Sequence, residues 1–214
     1  MLEALTRQLA ANISLAAKEI ALAVELLTNE SVDPRIKADF LIALAQKGET
    51  PEEIAAFAFA LREKSIVPPL DDTVRNGEIL DIVGTGGDRL STFNISTTAA
   101  ILCAAAGVTV AKHGNRAVTS SVGSADVIET LGIPVNHSPA EAARALRDHG
   151  FAFFFAPHFH PSFKTIAAAR KLCAERGQRT IFNILGPLLN PARPSAYLIG
   201  VPRPELCQPM ARAL

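Results

Sequence analysis

The sequence lacks several features that would place it in a class at once. Its 21 Lys and Arg residues equal its 21 Asp and Glu residues, so the net charge is zero and no global basic field favours nucleic acid as a partner. The three cysteines, Cys103, Cys173 and Cys207, lie far apart and form no CxxC pair. Their spacing argues against a zinc site and predicts reduced, buried thiols in a cytoplasmic protein.

Long apolar runs, repeats and a leader sequence are also missing. The N-terminus carries Glu3 and no long apolar run, so it makes a poor signal peptide. The longest apolar stretch, residues 99–111, is too short to span a bilayer, and no membrane partner is expected. What is present is 49% apolar and 20% charged residues, a composition that supports a buried core.

The N-terminal part of the chain carries the signals of helices only. Asp33 followed by Pro34 is typical of an N-cap with proline in the first turn. Thr50 with Glu53 three residues later predicts a capping box. The consecutive prolines at 68–69 break the pattern, so we expect a helical N-terminal domain over residues 1–68, with possible later helical contributions.

Beyond residue 68 short apolar runs alternate with segments of helical spacing. Ser138 with Glu141 predicts another capping box between two of these runs. Strands alternating with helices indicate an α/β domain with a largely parallel central sheet flanked by helices, expected over residues 69–214. The sequence ends within a predicted helix that begins near Pro204, so we expect this domain to be incomplete at its C-terminal end. The runs predicted as strands are 79–83, 108–111, 151–155, 181–184 and 197–201.

A glycine turn follows the first predicted strand. Residues 84–88 read Gly-Thr-Gly-Gly-Asp, and glycines there allow backbone N–H groups to approach a ligand closely. On its own the turn suits a tight connection equally well.

A helix start with polar side chains comes next. Residues 94–98 read Asn-Ile-Ser-Thr-Thr before an Ala-rich helical run. The hydroxyl groups suit helix caps, but a helix start also offers free N–H groups and the positive end of the helix dipole. Two such anion-binding features about ten residues apart suit a ligand with two phosphate groups. The spacing matches neither the Walker nor the dinucleotide-binding fingerprint.

A polar motif follows the second predicted strand directly. Residues 112–116 read Lys-His-Gly-Asn-Arg, with hydroxyl residues following at 119–121 and at Ser124. In a parallel sheet this motif lies at a carboxyl edge, beside the glycine turn if the two strands are neighbours.

Together the three motifs resemble the anthranilate phosphoribosyltransferase family in order and spacing. Further matches are Ala156-Pro157, His160-Pro161, Arg170 and the segment 180–191, so the resemblance covers essentially the whole sequence. It implies binding of 5-phosphoribosyl-1-pyrophosphate (PRPP) and anthranilate, with transfer of the phosphoribosyl group to the anthranilate amine in tryptophan biosynthesis. It also implies a homodimer built through the helical domain.

The resemblance assigns roles residue by residue. Anthranilate would contact Gly84, Asn115 and Arg170, the last through the anthranilate carboxylate, because an Arg fork matches a planar carboxylate. His113 and His160 would line the approach of anthranilate. The residues implied in PRPP binding are Gly84, Gly87, Asp88, Thr92, Asn94, Ile95, Ser96, Thr97, Lys112, His113, Gly114, Asn115, Arg116, Ala117, Val118, Thr119, Ser120 and Ser124.

The family uses Mg²⁺, and Ser96 matches one of its metal ligands. The other family ligands are an Asp-Glu pair further along the chain, which this sequence does not contain. Either the sequence lacks a C-terminal portion or the chain cannot complete the metal site. No general base is assigned.

Three other interpretations stay open. A pyrimidine nucleoside phosphorylase shares the fold, although the 112–116 motif and Arg170 argue against it. A non-catalytic relative that binds nucleic acid conflicts with the zero net charge. A purely structural fragment would follow if the metal site is lost.

Overall fold

The computed structural model describes residues 1–85, 93–116 and 122–214. The chain divides into two compact units, which we call the helical unit (Met1–Lys64, Pro161–Leu188 and Arg203–Leu214) and the sheet unit (Ser65–His160 and Leu189–Pro202). The helices are α1 Leu2–Ala10, α2 Ala17–Leu27, α3 Pro34–Lys47, α4 Pro51–Glu63, α5 Asp72–Arg75, α6 Ile95–Ala105, α7 Ser124–Thr130, α8 Pro139–His149, α9 Ala156–Phe159, α10 Ala167–Glu175 and α11 Cys207–Ala213. The strands are β1 Leu80–Gly84, β2 Val110–Gly114, β3 Phe151–Phe155 and β4 Ala196–Gly200.

The helical unit buries one apolar face of each main helix. Helix α1 packs on α3, α2 packs on α4, and α10 and α11 pack on α3 and α4 respectively. Leu41, Leu44 and Phe57 are fully buried inside this unit, whereas Phe59 is 60% exposed on α4. The first three side chains therefore fill the core of the unit, and the expected homodimer stays a prediction. The limits 1–68 and 69–214 also stay a prediction.

The predicted helix starts are confirmed by hydrogen bonds. The Asp33 carboxylate accepts a hydrogen bond from the Arg35 N–H at 2.7 Å. Thr50 Oγ1 accepts from the Glu53 N–H at 3.2 Å, and the Glu53 carboxylate accepts from the Thr50 N–H at 2.9 Å. Each bond satisfies a helix-terminal amide that has no partner within the helix.

The sheet unit contains four parallel strands in the order β3-β2-β1-β4. Helices cover both faces: α8 and α9 pack on one side around Ala152 and Phe154, and α6 and α7 pack on the other around Phe153 and Ile82. The predicted fold class, a helical domain with an α/β domain, is confirmed.

Two predicted strands differ from the structure by more than one residue at an end. Within the predicted strand 181–184, Ile181–Asn183 form a 3₁₀ turn, because the Asn183 side chain accepts from the Thr180 N–H at 2.8 Å and so competes with strand pairing. Strand β2 begins at Val110 rather than residue 108, because Gly107 (φ +92°) ends α6 and the Val108 N–H still donates to the Cys103 carbonyl.

Two smaller observations concern cysteines and membranes. The three thiols are free, but only Cys173 is buried, and the expectation of burial is wrong for the exposed Cys207. Among the described residues, no helix has both the length and the hydropathy that a membrane crossing requires.

Candidate functional site

The direction in which the chain adds strands to the sheet reverses beside β1. The chain adds β2 and β3 on one side of β1, and β4 then pairs on the opposite side, with Gly84 opposite Gly200. The Thr85 N–H donates to the Gly200 carbonyl at 3.0 Å. Both glycines are exposed, so within the described part of the chain this stretch of the edge is open. Open α/β sheets bind ligands at such reversals.

Helix α6 begins with the polar segment that the sequence singled out. Its first turn holds Ile95, Ser96 and Thr97 behind the N-cap residue Asn94. Thr97 is buried and Ser96 half-buried. The helix has 11 residues, so the positive end of its dipole favours an anion. The Ile95 and Thr97 N–H groups donate to the Phe93 and Asn94 carbonyls in this structure, whereas the Ser96 hydroxyl is half-buried at the same helix start.

The Ser96 hydroxyl is an oxygen ligand of the type that Mg²⁺ prefers. No group of three or more His, Cys, Asp or Glu residues in the described part of the chain could hold a metal ion. The chemistry of this hydroxyl suits Mg²⁺, and the role of Ser96 as a metal ligand stays a prediction.

The end of β2 is packed more tightly than a surface turn. Lys112 and His113 are buried, and the Lys112 ammonium donates to the Ile82 carbonyl at 2.8 Å. A Cβ atom on Gly114 would lie 2.9 Å from the Phe153 ring and would collide with the Ser124 hydroxyl. Glycine at this position is therefore required by the packing of the sheet unit itself.

Asn115 and Arg116 follow β2 on the surface. The Asn115 carbonyl accepts from the Ser124 hydroxyl at 3.1 Å, which ties the motif to the start of α7. The Arg116 guanidinium donates to Asp126 at 2.8 Å and to Glu129 at 3.0 Å. Arg116 is thus paired with carboxylates in this structure.

The buried polar side chains of Asp81, Lys112 and Asn190 hydrogen-bond with the backbone of β1 and β2. Within the described residues these strands are paired only at Leu80 and Val110, whereas β1–β4 and β2–β3 each pair at five positions. Asp81 Oδ1 accepts from the His113 N–H at 3.3 Å, and Asp81 Oδ2 accepts from the Asn190 amide at 2.9 Å.

Asn190 completes this arrangement. Its amide also donates to the Ala111 carbonyl at 2.7 Å, and its Oδ1 accepts from the Ala192 N–H at 2.9 Å. Asp81 and Asn190 are both fully buried. Burial raises the pKa of Asp81 to about 6, against the effects of the Lys112 charge and the hydrogen bonds from Asn190 and His113. Burial also lowers the pKa of Lys112, against the effect of the Asp81 charge.

The two motif histidines lie together in the sheet unit. The His113 and His160 rings are 5.2 Å apart in an edge-to-face arrangement, and both side chains are buried. Burial lowers the pKa of His160 to about 4, although a hydrogen bond with the Leu189 backbone acts in the opposite direction. His160 is therefore neutral at pH 7. Its role toward anthranilate stays a prediction.

Arg170 belongs to the helical unit. Its guanidinium lies over the Phe182 ring, 5.4 Å from the ring centroid, and Phe163 meets Phe182 edge-to-face at 5.7 Å. Arg170 is exposed, so its fork can reach a carboxylate from solution while the aromatic ring holds it in place.

Several predicted site residues lie outside the described residues. In the glycine turn these are Gly87, Asp88 and Thr92, and after β2 they are Ala117, Val118, Thr119 and Ser120. The sheet unit holds the other predicted PRPP residues, from Gly84 to Ser124, and Arg170 is in the helical unit.

Sequence reasoning assigned no role to Asp81, Asn190, Phe163 or Phe182. For Asp81 a signal existed, because a carboxylate inside an apolar strand is rarely fully buried unless it has partners. For the other three, no local pattern indicates the contact that the fold creates.

Comparison with known families gives two matches. Residues 3–65 match the helical bundle domain of a glycosyl transferase family, and residues 76–214 match the a/b domain of the glycosyl transferase family.

Curated relatives carry the name anthranilate phosphoribosyltransferase. The Colwellia psychrerythraea protein is 48% identical over 184 residues, covering 86% of this chain and 49% of the relative. The Thermus thermophilus protein is 50% identical over 183 residues, covering 86% of this chain and 54% of the relative. The chain spans about half the length of the curated relatives it matches.

Solved structures agree with these relatives. The Thermus thermophilus enzyme superposes with a TM-score of 0.88 at 43% identity, covering 98% of this chain and 61% of that one. The Saccharomyces cerevisiae enzyme in complex with PRPP and Mg superposes with a TM-score of 0.86 at 32% identity, covering 99% of this chain and 61% of that one. The same yeast enzyme in complex with 4-fluoroanthranilate has a TM-score of 0.78 at 30% identity, covering 99% of this chain and 59% of that one. The resemblance to anthranilate phosphoribosyltransferases is thereby confirmed.

Proposed function

Because the chain belongs to the glycosyl transferase family, whose helical bundle and a/b domains it matches, we propose that it transfers the phosphoribosyl group of PRPP to anthranilate. The observation that carries this proposal is the carboxyl edge of the sheet unit. This edge carries the exposed Gly84 at the end of β1 and polar groups at the end of β2. The start of α6, which favours an anion, belongs to the same unit. The relatives named above carry out the same class of reaction by name.

In the proposed reaction the anthranilate amine attacks C1 of the ribose ring. A C1–N bond forms, the C1–O bond to pyrophosphate breaks, and pyrophosphate leaves with the bonding electron pair. The amine then releases a proton to solvent, and we assign no residue as general base. The products are N-(5-phosphoribosyl)anthranilate and pyrophosphate.

The chain's own residues would contribute positioning and electrostatics. The first turn of α6, from Asn94 to Thr97, would hold a phosphate group through its amides and hydroxyls. Asn115 and Gly84 would contact anthranilate, and Arg170 would bind the anthranilate carboxylate. Mg²⁺, with Ser96 as one ligand, would neutralise charge on the departing pyrophosphate. A homodimer and a cytoplasmic location belong to the same proposal.

PRPP binding is the direct test of this function, and calorimetry measures it without requiring turnover. We expect PRPP to bind the wild-type chain more tightly with Mg²⁺ than without. Ser96→Ala should remove most of this Mg²⁺ dependence, because it deletes the hydroxyl ligand. Thr98→Ala is the matched control, since Thr98 is exposed on the same helix and its hydroxyl donates to the Asn94 carbonyl. Phosphorolysis of thymidine without PRPP binding would instead favour a nucleoside phosphorylase.

The Arg170→Ala variant should affect the binding of anthranilate and leave the binding of PRPP intact. The guanidinium is proposed to meet only the carboxylate of anthranilate, so its removal should raise the anthranilate KM about tenfold to hundredfold, the range for a lost charged hydrogen bond. PRPP affinity should stay near the wild-type value. Lys171→Ala is the control, because Lys171 is exposed on the same helix and forms a long ion pair with Glu175 at 4.0 Å. An equal loss for both substrates in Arg170→Ala would disprove the role of this residue.

A further inference from the structure

Side-chain hydrogen bonds join β1 and β2 beyond the position where their backbones pair. The two strands are paired at Leu80 and Val110, and beyond that point the described structure records no further backbone pairing between them. Instead Asp81 accepts from the His113 N–H, and Asn190 donates to the Ala111 carbonyl. The Lys112 ammonium donates to the Ile82 carbonyl of β1.

These contacts bracket one short segment. Ala111 and His113 are the neighbours of Lys112. On the side away from β1 they pair with β3, and on the side of β1 their backbone is bonded by the buried Asn190 and Asp81 side chains. The segment leads directly to Gly114, Asn115 and Arg116, the part of the 112–116 motif that reaches the carboxyl edge.

The three side chains are closed off from solvent in this structure. Asp81 and Asn190 are fully buried, and Lys112 is 2% exposed with its ammonium hydrogen-bonded. A buried polar group must be satisfied by partners, and here the partners include one another, the backbone of β1 and β2, and the Ala192 N–H. Their effect on a ligand is therefore exerted through the position of the β2 end.

We propose that Asp81 and Asn190 are positioning residues for PRPP, which hold the end of β2 in its ligand-binding position by bonding the His113 N–H and the Ala111 carbonyl. This inference rests on the proposed function. Lys112 bonds the Ile82 carbonyl from the same segment, and its contact with PRPP stays a prediction. A site built this way is rigid before the ligand arrives.

The test compares PRPP affinity with stability in the same variants. Asp81→Asn keeps the shape of the side chain but replaces Oδ1 or Oδ2 by a donor, and Asn190→Ala removes the bond to Ala111. Each should weaken PRPP binding about tenfold, the low end of the loss when an outer-shell partner is removed from a metal site. Leu146→Ala is the control, because Leu146 is a buried core residue of α8 in the same unit and makes none of these contacts.

The expected pattern is a lower Tm in all three variants with weaker PRPP binding only in Asp81→Asn and Asn190→Ala. Wild-type PRPP affinity in both of these variants would overturn the proposal and leave the network a purely structural one. Absence of PRPP binding by the wild-type chain would instead overturn the proposed function, and this inference with it.

A second measurement keeps the proposal testable if either variant fails to fold. In the wild-type chain without PRPP, we expect the His113 amide to exchange slowly with solvent deuterium, because Asp81 already holds it. A His113 amide that exchanges rapidly in the free chain and becomes protected only with PRPP would overturn the proposal, since the ligand would then order the strand end.

Discussion

Asp81 is a carboxylate in the middle of an apolar strand, and its surroundings determine its protonation. Desolvation raises its pKa to about 6, because burial penalises the charged form more than the nearby Lys112 and the hydrogen-bond donors favour it. An acid whose pKa is higher in the folded state than in the unfolded state binds protons more tightly when folded. Its stabilising contribution is present below its ordinary pKa of 3.8 and is lost as the pH rises through 6.

This sign predicts the pH dependence of the Asp81→Asn variant. Relative to that variant, the wild-type free energy of unfolding should decrease as the pH rises from about 4 to about 7. Urea unfolding of both proteins at each pH measures this difference, and it cancels the other carboxylates that the two chains share. A difference that increases with pH would contradict the raised pKa and would indicate that the Lys112 charge dominates at this position.

At the residue scale the helix caps expected from the sequence are confirmed, whereas the site assignments of Arg170 and Ser96 stay predictions. Arg170 and Ser96 followed from resemblance to a family, and the capping residues Asp33 and Thr50 followed from local chemistry. The Asp81–Asn190 bond could not be predicted, because it joins residues 109 positions apart and no local pattern encodes their meeting. The same holds for the contact of Arg170 with the Phe182 ring, because residues 181–183 adopt a turn that the sequence did not indicate.

At the element scale the end of β2 is where packing and proposed function coincide. Gly114 lies beside the buried Phe153 ring of β3 and the Ser124 hydroxyl of α7. A side chain there would push these groups apart, because a buried aromatic ring within a sheet has little room to move.

Gly114→Ala should therefore destabilise the chain by about 1–3 kcal/mol, the usual cost of overpacking a filled site. It should also weaken PRPP binding, since the strand end would shift. Gly77→Ala is the matched control: its added Cβ would meet only the Val74 and Thr73 carbonyls at ordinary contact distances of 3.5 and 3.7 Å. Thermal unfolding of the two variants measures this difference in stability, and equal Tm values would contradict the close packing inferred at Gly114.

Element boundaries were the part of the fold that sequence patterns predicted least well. An apolar run such as 181–184 suits a strand by composition, but the side chain of Asn183 closes a turn on Thr180. For β2 the apolar run was right and the start was two residues early, because a positive φ at Gly107 delays the strand. The strand also ends later than expected, at Gly114, so three of the motif residues, Lys112 to Gly114, lie inside it rather than after it.

At the scale of the whole molecule, the alternation of apolar runs with helical segments was sufficient to predict a parallel sheet flanked by helices. Possible later contributions to the helical domain were expected, but pattern alone could not predict that they would be residues 161–188 and 203–214. That grouping depends on tertiary packing, such as α10 on α3 and α11 on α4.

The reaction itself needs both substrates, Mg²⁺ and the chain, so one assay addresses the whole proposal. Anthranilate fluorescence is followed after mixing the protein with PRPP and Mg²⁺, with each component omitted in turn. The proposed function predicts a loss of anthranilate fluorescence that requires all of the components and that slows in Arg170→Ala but not in Lys171→Ala. Constant fluorescence in the complete mixture would contradict the proposal that this chain is a phosphoribosyltransferase acting on anthranilate.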